Sequence, residues 1–319
     1  MRVVVTGAAG FIGSRLVAGL NRRGITDILA VDNLARTSPL RNLAKSRIAD
    51  YQHYEEFIAR FDGKAAAVFH QGACTNTMEH DRQKMMAMNL EFSLKLLEKC
   101  ETARTPLIYA SSAAVYGAGP DFREEPACEH PLNVYGESKL LFDQALRQRK
   151  PAAQVAGLRY FNVYGPNEAH KQAMASVAFH GFHQFQNSGK IRLFTGSGGY
   201  GPGEQRRDFV YVDDVVAVNL WLLDHPGASG VFNCGTGRAQ TFNQLAAAVI
   251  NASQGTRRTV AELAREGRIE YIPFPPGLLE RYQSFTQADL TRLRAAGYGG
   301  EFRAVEQGVA AYVEELKAA

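Results

Sequence analysis

The feature that most restricts how this chain can fold is a glycine-rich segment close to its amino terminus. Val3-Val4-Val5-Thr6 is a β-branched run typical of a buried strand, and glycines follow at positions 7, 10 and 13. In such a segment Gly7 permits a tight turn, Gly10 lets a phosphate approach the backbone, and Gly13 lets the next helix pack closely on the strand. The N–H groups at the start of that helix attract phosphates. The segment therefore predicts a strand, a turn and a helix that together bind a dinucleotide.

An acidic residue at the end of the second apolar run supports this interpretation. Asp32 closes residues 27–32 and follows Gly13 by 19 residues. A carboxylate at about this distance from the glycines accepts a hydrogen bond from a ribose 2′-hydroxyl in dinucleotide-binding folds. A glycine pattern alone is a weak indicator, because strand–turn–helix units without a ligand also contain it. The glycines and Asp32 together favour dinucleotide binding.

Apolar runs and helical patterns alternate through the first half of the chain. Runs at residues 65–70, 107–112 and 154–159 are separated by helical patterns near 81–103 and 136–149. Continuous apolar strands separated by helices predict an α/β fold of the Rossmann type, with a doubly wound parallel sheet covered on both faces. Ligands bind at the carboxyl ends of the strands in such a sheet. The polar residues that fall at those ends are Asp32, Gln71, Ser111, Ser112 and Asn162.

The second half of the chain is less regular. Residues 209–212 and 230–233 predict further strands, Asp213 is expected to cap the helix that carries Trp221, and Thr241 is expected to cap a helix at about 241–252. The glycine-rich residues 196–203 are expected to form a mobile loop. We therefore expect two domains, which are a dinucleotide-binding domain at 1–164 plus about 207–236, and a smaller mixed α/β substrate-binding lobe at about 165–206 plus 237–319.

Composition excludes several classes of protein. The chain has 319 residues, of which 45% are hydrophobic and 21% charged, so it has ample material for a core. A net charge of +4, spread along the chain, gives no case for a nucleic-acid or membrane partner. No apolar run approaches the roughly 18 residues of a membrane helix. Without metal-like spacing among the cysteines and histidines, we expect reduced thiols, no metal and a cytoplasmic location. The cysteines are Cys74, Cys100, Cys128 and Cys234.

A tyrosine and a lysine at helical spacing are the first candidates for chemistry. Tyr135 and Lys139 are four residues apart, so their side chains share one face of a helix. A phenol with a pKa near 10 is a poor base at neutral pH, and a nearby ammonium lowers that pKa. An exposed helix pair has the same spacing. The strand that ends at Ser112 favours the catalytic interpretation, because its hydroxyl could bind the substrate oxygen that Tyr135 deprotonates.

The glycine-rich segment, Ser112 and the Tyr135-x-x-x-Lys139 pattern resemble the extended short-chain dehydrogenase/reductase family, whose members act on nucleotide sugars. The resemblance covers nearly the whole chain, and its more specific segments are 24–29, 131–136, 159–166, 174–180, 207–212 and 282–290. It implies an epimerase that holds its nicotinamide cofactor tightly. A hydride leaves one carbon of the sugar and returns to the opposite face, with no net oxidation. The same resemblance implies a ring of identical subunits, such as a pentamer.

The resemblance also assigns site residues. It implies acid/base roles for Tyr135 and Lys171, with Ser112 and Lys139 completing the catalytic group. Lys171 alone would be interpreted as an exposed loop lysine, and as a base it needs a pKa lowered by burial or by a neighbouring cation. The residues implied to contact the cofactor are Gly7, Gly10, Phe11, Ile12, Gly13, Asp32, Asn33, Arg36, Gln71, Gly72, Ala73, Cys74, Thr75, Asn89, Lys139, Val163 and Lys171. Those implied to contact the sugar nucleotide are Ser112, Asn162, Ala173, His180, Phe194, Thr195, Gly196, Ser197, Arg207 and Tyr282.

The choice between NADP and NAD rests on few residues. Pro39 and Tyr54 stand where close relatives carry lysines, and Arg36 and Arg41 are the basic residues that could meet a 2′-phosphate instead. The resemblance favours NADP, whereas Asp32 favours the free 2′-hydroxyl of NAD. We expect NADP, with NAD as the alternative.

Three other positions bear on the site. Met88 replaces an expected asparagine, and the neighbouring Asn89 is the expected substitute. Residues 198–204 lengthen a loop next to the expected substrate site. The guanidinium of Arg207 suits a diphosphate, because its planar fork matches phosphate oxygens, although a surface ion pair would use the same residue.

Three other functions remain as alternatives. A dehydratase needs an acid/base pair directly after the strand-end serine, and Ala113-Ala114 stands there instead. A 4-epimerase would use Ser112, Tyr135 and Lys139 equally well. A non-catalytic nicotinamide-binding regulator would keep the glycine-rich segment, but such proteins usually lose the catalytic tyrosine or lysine, and both are present here.

Overall fold

The structure is a computed structural model that describes residues 2–33, 40–77, 79, 81–277, 279 and 282–318. The chain divides into two compact units. Unit 1 comprises residues 1–160, 215–234 and 291–300, and unit 2 comprises residues 161–214, 235–290 and 301–319. In this division residues 161–164 and 207–214 belong to unit 2 and residues 291–300 to unit 1, whereas the predicted domains placed these stretches the other way.

A seven-stranded parallel sheet forms the centre of unit 1. Its strands, in chain order, are β1 (Val3–Thr6), β2 (Ile28–Asp32), β3 (Asp50–His53), β4 (Ala67–His70), β5 (Leu107–Ser112), β6 (Val155–Tyr160) and β11 (Gly230–Cys234). They lie in the order β11-β6-β5-β4-β1-β2-β3. The strand order reverses between β1 and β4, and ligands bind at such a switch point. The predicted Rossmann-type α/β fold is confirmed.

The helices, again in chain order, are α1 (Phe11–Arg22), α2 (Tyr54–Arg60), α3 (Arg82–Met86), α4 (Phe92–Ala103), α5 (Val134–Arg147), α6 (Val177–Ser188), α7 (Val212–Asp224), α8 (Phe242–Gln254), α9 (Val260–Arg265), α10 (Thr291–Ala295) and α11 (Val305–Lys317). A π-helical turn, Ala87–Glu91, joins α3 to α4 without a break, so the helical pattern predicted at 81–103 is continuous. The helix predicted at 136–149 is α5, which begins two residues earlier because Asn133 caps it: its side-chain oxygen accepts from the Gly136 N–H at 2.8 Å.

Helices cover both faces of the sheet in unit 1. On one face Phe57, Leu96 and Phe142 belong to a buried cluster with sheet residues such as Val4. On the other face α1 and α7 approach closely, since a Cβ on Gly19 would lie 2.7 Å from the Cγ1 of Val216. Two-sided burial explains why the strands are apolar runs and do not alternate with polar residues.

Unit 2 is a smaller assembly of helices and three two-stranded sheets. The parallel sheets pair β7 (Asn162–Tyr164) with β10 (Phe209–Tyr211), and β8 (Ile191–Phe194) with β13 (Ile269–Ile272). The antiparallel sheet pairs β9 (Arg206–Arg207) with β12 (Gln240–Thr241). Helix α8 begins after Thr241, whose hydroxyl accepts from the Gln244 N–H at 3.0 Å, so the predicted cap is confirmed.

Two predictions for the second half are wrong. The predicted strand at 209–211 is present, but it lies in unit 2 and not in the dinucleotide-binding domain, because it pairs with β7; the place beside β6 is taken by β11. Asp213 does not cap α7, because the helix already begins at Val212 and Asp213 lies in its first turn. Strand β3 has no counterpart in the sequence analysis, since Asp50–His53 is a polar edge strand.

Candidate active site

The glycine-rich turn of unit 1 has the geometry of a phosphate cradle. Gly7 adopts a φ of +64°, and a Cβ on it would lie 2.6 Å from the Gly72 nitrogen. A Cβ on Gly13 would lie 2.0 Å from the Gly7 oxygen, so helix and turn touch through backbone alone. Gly10 precedes α1 and provides no side-chain cap for the first-turn N–H groups of Phe11 and its neighbours. Those groups and the helix dipole fit the diphosphate of a dinucleotide.

Asp32 is fixed at the end of β2 by the same loop. Its Oδ2 accepts a hydrogen bond from the Ala9 N–H at 2.9 Å, and its Oδ1 accepts from the Asn33 N–H at 2.8 Å. The side chain of Asn42 donates to the Ala9 carbonyl at 3.0 Å and so ties the following segment to the loop. A half-buried carboxylate held in this way fits a ribose hydroxyl. Arg36 and Pro39 lie outside the described residues.

Residues 71–75 follow β4 and are held from two sides. The hydroxyl of Tyr160 donates to the Gln71 side-chain oxygen at 2.9 Å, and Asn219 donates to that hydroxyl at 3.0 Å. Asn89 brackets Cys74, because its oxygen accepts from the Cys74 N–H at 2.7 Å and its nitrogen donates to the Cys74 carbonyl at 3.0 Å. The segment that carries Gly72, Ala73 and Thr75 is therefore anchored at both ends.

Asn89 also belongs to a buried polar chain that sequence reasoning missed. The Gly72 N–H donates to the Thr6 hydroxyl at 3.2 Å, and that hydroxyl lies 2.6 Å from Nδ1 of His70. Nε2 of His70 lies 2.8 Å from the Ser93 hydroxyl, which donates to the Asn89 carbonyl at 2.6 Å. Burial and the positive charge of Lys139 lower the pKa of His70 to about 3. The chain therefore ties the glycine-rich turn to the π-helical turn through a neutral histidine.

The predicted catalytic residues of unit 1 come together at the ends of β5 and α5. Ser112 ends the strand, and its hydroxyl lies close enough to the phenol of Tyr135 to affect the pKa of that phenol and accepts from the Ala114 N–H at 3.1 Å. Lys139 lies one helical turn after Tyr135 and donates to the Ala110 carbonyl at 2.8 Å. This arrangement can take a proton from a hydroxyl group bound between Ser112 and Tyr135.

The charges at this cluster differ from the expectation. Burial raises the pKa of Tyr135, and the hydrogen bond from Ser112 opposes that rise only in part. Burial also lowers the pKa of Lys139 to about 8, which Asp143 opposes. The expected lowering of the Tyr135 pKa by Lys139 is absent because desolvation outweighs the other effects on this phenol.

A buried ionic network that sequence reasoning also missed supports the cluster. Asp143 follows Lys139 by one turn of α5 and accepts hydrogen bonds from Tyr109 at 2.8 Å, Ser111 at 2.9 Å and Arg159 at 2.9 Å. Arg159 is fully buried and also pairs with Glu129. The network fixes α5 against β5 and β6. Arg159 is a charged residue inside the apolar run 154–159, and this feature of the sequence could have indicated the network.

In unit 2, Lys171 lies in the 3₁₀-helical segment Ala169–Met174, together with Ala173. Its ammonium is 3.6 Å from a carboxylate oxygen of Glu168, which is fully buried. Burial lowers the pKa of Lys171 although Glu168 opposes the change. Gln172, directly after it, adopts a φ of +50° and a ψ of −124°, a conformation that side chains rarely adopt. Strain beside a lysine with a lowered pKa is typical of functional segments.

Arg207 is the second notable cation of unit 2. It is only 6% exposed, and its guanidinium lies 5.0 Å from the ring centre of Tyr282 and 5.7 Å from that of Phe242. Among the described residues, no carboxylate oxygen lies within 4.0 Å of its guanidinium nitrogens; its hydrogen bond runs to the Arg206 carbonyl at 3.0 Å. Burial lowers the pKa of Arg207. A buried cation without a carboxylate partner suits an anionic ligand.

Further predicted residues lie near this aromatic group. Phe194 stacks on Phe274 at 4.6 Å between ring centres, and the Phe274 ring meets the Tyr282 ring at 4.9 Å. Phe274 therefore belongs to this aromatic group, although it was not among the predicted residues. Gln205 donates to the Thr195 carbonyl at 2.8 Å and to the Ser197 hydroxyl at 3.0 Å, which fixes the start of the loop expected to be mobile. Gly196 belongs to the same loop, and a Cβ on it would lie 2.2 Å from the Tyr200 carbonyl.

The remaining predicted residues of unit 2 are less tightly grouped. Asn162 and Val163 belong to β7, and the Asn162 side-chain oxygen accepts from the Thr286 hydroxyl at 3.4 Å. His180 lies on α6, where its ring meets Phe179 edge to face at 5.6 Å. Of the described residues predicted to contact the cofactor, Val163 and Lys171 belong to unit 2 and the others belong to unit 1.

Other kinds of site have no support in the described part of the chain. No group of three or more His, Cys, Asp or Glu side chains there is arranged to hold a metal ion. No helix within it has the length and apolar character needed to cross a membrane. Cys74, Cys100, Cys128 and Cys234 are free thiols.

Comparison with known proteins gives one family and several related structures. ADP-L-glycero-D-manno-heptose-6-epimerase from Helicobacter pylori has a TM-score of 0.83 and 27% identity, over 100% of this chain and 96% of that one. UDP-glucose 4-epimerase from Thermotoga maritima, solved with UDP-glucose, has a TM-score of 0.79 and 29% identity, over 100% and 99%. UDP-glucose 4-epimerase from Thermus thermophilus, solved with NAD, has a TM-score of 0.78 and 26% identity, over all of both chains. The family model matches residues 3–235, which are well over half of this chain, so this chain belongs to the NAD dependent epimerase/dehydratase family.

Proposed function

We propose that the protein is an ADP-heptose 6-epimerase, which inverts C6″ of ADP-D-glycero-β-D-manno-heptose to give the L-glycero epimer, a precursor of the lipopolysaccharide core. Segments 159–166, 207–212 and 282–290 resemble this epimerase most closely, and the Helicobacter pylori enzyme is similar over the whole chain. The observation that carries the proposal is the strained 3₁₀-helical segment that holds the Lys171 ammonium 3.6 Å from the buried Glu168 carboxylate, because a lysine ordered in this way can serve as a second proton-transfer group besides Tyr135.

Four residues are proposed to act in this reaction: Ser112, Tyr135 and Lys139 of unit 1, and Lys171 of unit 2. Tyr135 takes the proton from the hydroxyl at C6″, and Ser112 holds that oxygen by a hydrogen bond. A nicotinamide cofactor held by the glycine-rich turn and Lys139 would supply the hydride acceptor and donor for C6″. Lys139 binds the nicotinamide ribose, and its charge compensates the phenolate when a ligand excludes water. Lys171 exchanges the proton for the second approach, and burial, which lowers its pKa, favours the neutral amine that this transfer needs.

Arg207 is proposed to bind the diphosphate of the substrate. A buried guanidinium without a carboxylate partner gains two strong hydrogen bonds when an anion arrives. The rings of Tyr282 and Phe242 hold the guanidinium from the side and leave its edge for phosphate oxygens. Binding energy from this remote group is available to orient the reacting carbon.

We propose NADP as the cofactor, on the family resemblance and with Arg41 as the described basic residue next to Asn42, which contacts the glycine loop. The held carboxylate of Asp32 argues for NAD, because it favours a free 2′-hydroxyl. Denaturing the purified protein and identifying the released dinucleotide by mass separates the two. A mass equal to that of NAD would overturn NADP and leave the reaction as proposed.

A UDP-sugar 4-epimerase is the second candidate, because the Thermotoga maritima 4-epimerase shares 29% identity with this chain. The two functions separate in one experiment, in which purified protein is incubated with ADP-D-glycero-D-manno-heptose or UDP-glucose and the products are identified by NMR. We expect conversion of the heptose alone. Conversion of UDP-glucose alone would transfer the proposal to the 4-epimerase, and conversion of neither would refute both.

Two variants and heavy water test the mechanism. Tyr135→Phe and Lys171→Met each remove a proton-transfer group while keeping most of the side-chain volume, so we expect both to abolish turnover in folded protein. Normal turnover by Lys171→Met would exclude the second group. Because the hydride stays within the site, deuterium from heavy water should not appear at C6″.

We also propose that the protein is a cytoplasmic homo-oligomeric ring without a nucleic-acid or membrane partner. Sedimentation of the purified protein tests the size of the oligomer.

A further inference from the structure

The buried carboxylate of Glu168 holds the segment that carries Lys171. Its Oε1 accepts from the Ser176 hydroxyl at 2.6 Å and from the Gly165 N–H at 3.3 Å. Its Oε2 accepts from the Ser176 N–H at 2.7 Å and lies 3.6 Å from the Lys171 ammonium. Burial and the nearby Glu168 carboxylate raise the pKa of Tyr312, on α11. One side chain therefore joins both ends of the segment between residues 165 and 176.

The backbone of this segment needs such an anchor. Asn167 and Gln172 both adopt positive φ values, +75° and +50°, which cost energy for residues other than glycine. Ser176 is both the cap of α6, accepting from the Phe179 N–H at 3.2 Å, and a donor to Glu168. The carboxylate thus fixes the strained segment to the start of a stable helix.

The distance between the two charges is informative. At 3.6 Å the ammonium of Lys171 is farther from the Glu168 oxygen than the 2.7–2.9 Å of a close charge-assisted hydrogen bond. The attraction is therefore mainly Coulombic, and it favours the protonated lysine. Burial of the lysine acts in the opposite direction.

We infer that Glu168 is a positioning residue for Lys171: its carboxylate fixes the segment that carries the lysine, and its charge sets how readily the lysine gains and loses its proton. The inference rests on the proposed function for the catalytic use of Lys171, but the contact between the two residues does not. The titratable groups that act on this pair from other elements are Tyr312 and, through Tyr312, Tyr211 and Glu315.

The test is the pH dependence of acetylation of Lys171 by acetic anhydride, followed by mass spectrometry of the peptide in the full chain. This readout needs neither cofactor nor turnover. In Glu168→Gln the attraction is lost while an oxygen acceptor remains, so the labelling midpoint should fall by about 1–3 pH units. Tyr312→Phe keeps the carboxylate charge, so its midpoint should not fall. Glu101→Gln, at an exposed ion pair with Arg149, is the matched control and should leave the midpoint unchanged.

Glu168→Asp covers the case in which Glu168→Gln fails to fold. It keeps the charge and withdraws it by about one methylene, so a smaller downward shift is expected. An unchanged midpoint in a folded Glu168 variant would overturn the inference. If the wild type converts no ADP-heptose but the midpoint still falls, the proposed function fails and the role of Glu168 stands. If the wild type converts ADP-heptose but the midpoint does not move in the folded Glu168 variants, the proposed function stands and the role of Glu168 fails.

Discussion

Two buried arginines in this protein lead to opposite predictions for the same substitution. Arg159 is fully buried and pairs with Asp143 at 2.9 Å and with Glu129. Arg207 is 6% exposed and lies against Tyr282 and Phe242, with no carboxylate within 4.0 Å among the described residues. Methionine in either place keeps most of the aliphatic stem and removes the charge. Only at Arg159 does it leave buried anions behind.

The magnitudes follow from these partners. Breaking a buried ion pair from one side costs about 3–5 kcal/mol, because the remaining charge is uncompensated. Asp143 keeps its bonds from Tyr109 and Ser111, so we expect Arg159→Met to lose about 3 kcal/mol of unfolding free energy. Arg207→Met loses a cation–π contact of up to about 2 kcal/mol and one carbonyl hydrogen bond, but it also removes the desolvation penalty of a lone cation, which is several kcal/mol. Its stability should therefore stay within about 1 kcal/mol of wild type, or rise.

Ligand binding should show the reverse order for Arg207. Arg207→Met removes both charge-assisted hydrogen bonds to the diphosphate, and each of them is worth about 1.5–3 kcal/mol, or roughly 10–150-fold in Kd. Urea denaturation followed by circular dichroism gives the stabilities, and calorimetric titration with the nucleotide sugar that the protein converts gives the affinities. If Arg207→Met lost as much unfolding free energy as Arg159→Met, the guanidinium would be a structural cation, and the argument for a diphosphate site would be refuted.

Three further predictions concern the fold and its pH dependence. Gly13→Ala should unfold the glycine-rich turn and abolish dinucleotide binding, since its Cβ would lie 2.0 Å from the Gly7 oxygen, whereas Gly227→Ala, with no atom within 4 Å, should stay within about 0.5 kcal/mol in the same urea titration. The pKa of His70, about 3 in the folded protein against 6.5 as its ordinary value, means that the unfolded chain binds the proton more readily. The stability that His70 contributes is therefore complete above pH 6.5 and is lost by about 1.4 kcal/mol per pH unit as the pH falls toward 3. His70→Gln should lack that slope between pH 6.5 and 4, and an equal slope would show that other groups cause it. Thr241→Ala removes one capping hydrogen bond and should cost about 1 kcal/mol in thermal or urea unfolding; a loss below 0.2 kcal/mol would mean that Gln244 alone caps the helix.

The central sheet was predictable because its signals are local. A β-branched run followed by Gly7 and Gly13 predicts both the strand and the turn. The other central strands are recognisable as apolar runs because both faces of the sheet are buried. The strand Asp50–His53 was not predictable in this way, since a polar edge strand lacks an apolar signal. Residues 209–211 show the opposite failure. An apolar run indicates a strand but does not say which strand it pairs with.

The candidate site was predictable only where chemistry and spacing coincide. Tyr135 and Lys139 are four residues apart on one helix, so their proximity follows from the sequence. Asp143 acts through contacts that form only when distant segments pack, and Glu168 acts across a local loop with two positive φ values that the sequence does not specify. Neither residue stands in a motif. The direction of the Tyr135 pKa was also beyond the sequence, because desolvation depends on how deeply the folded chain encloses the phenol.

The buried chain between Gly72 and Asn89 can hold its hydrogens in only one arrangement. The Gly72 N–H can only donate and the Asn89 carbonyl can only accept, so the Ser93 hydrogen is committed to that carbonyl. Ser93 therefore accepts from Nε2 of His70, and Nδ1 is the bare nitrogen that receives the Thr6 hydroxyl. The imidazole is held as its Nε2–H tautomer, and every N–H and O–H bond in the row points the same way. The row thus forms one aligned dipole that runs from Gly72, after β4, toward the π-helical turn.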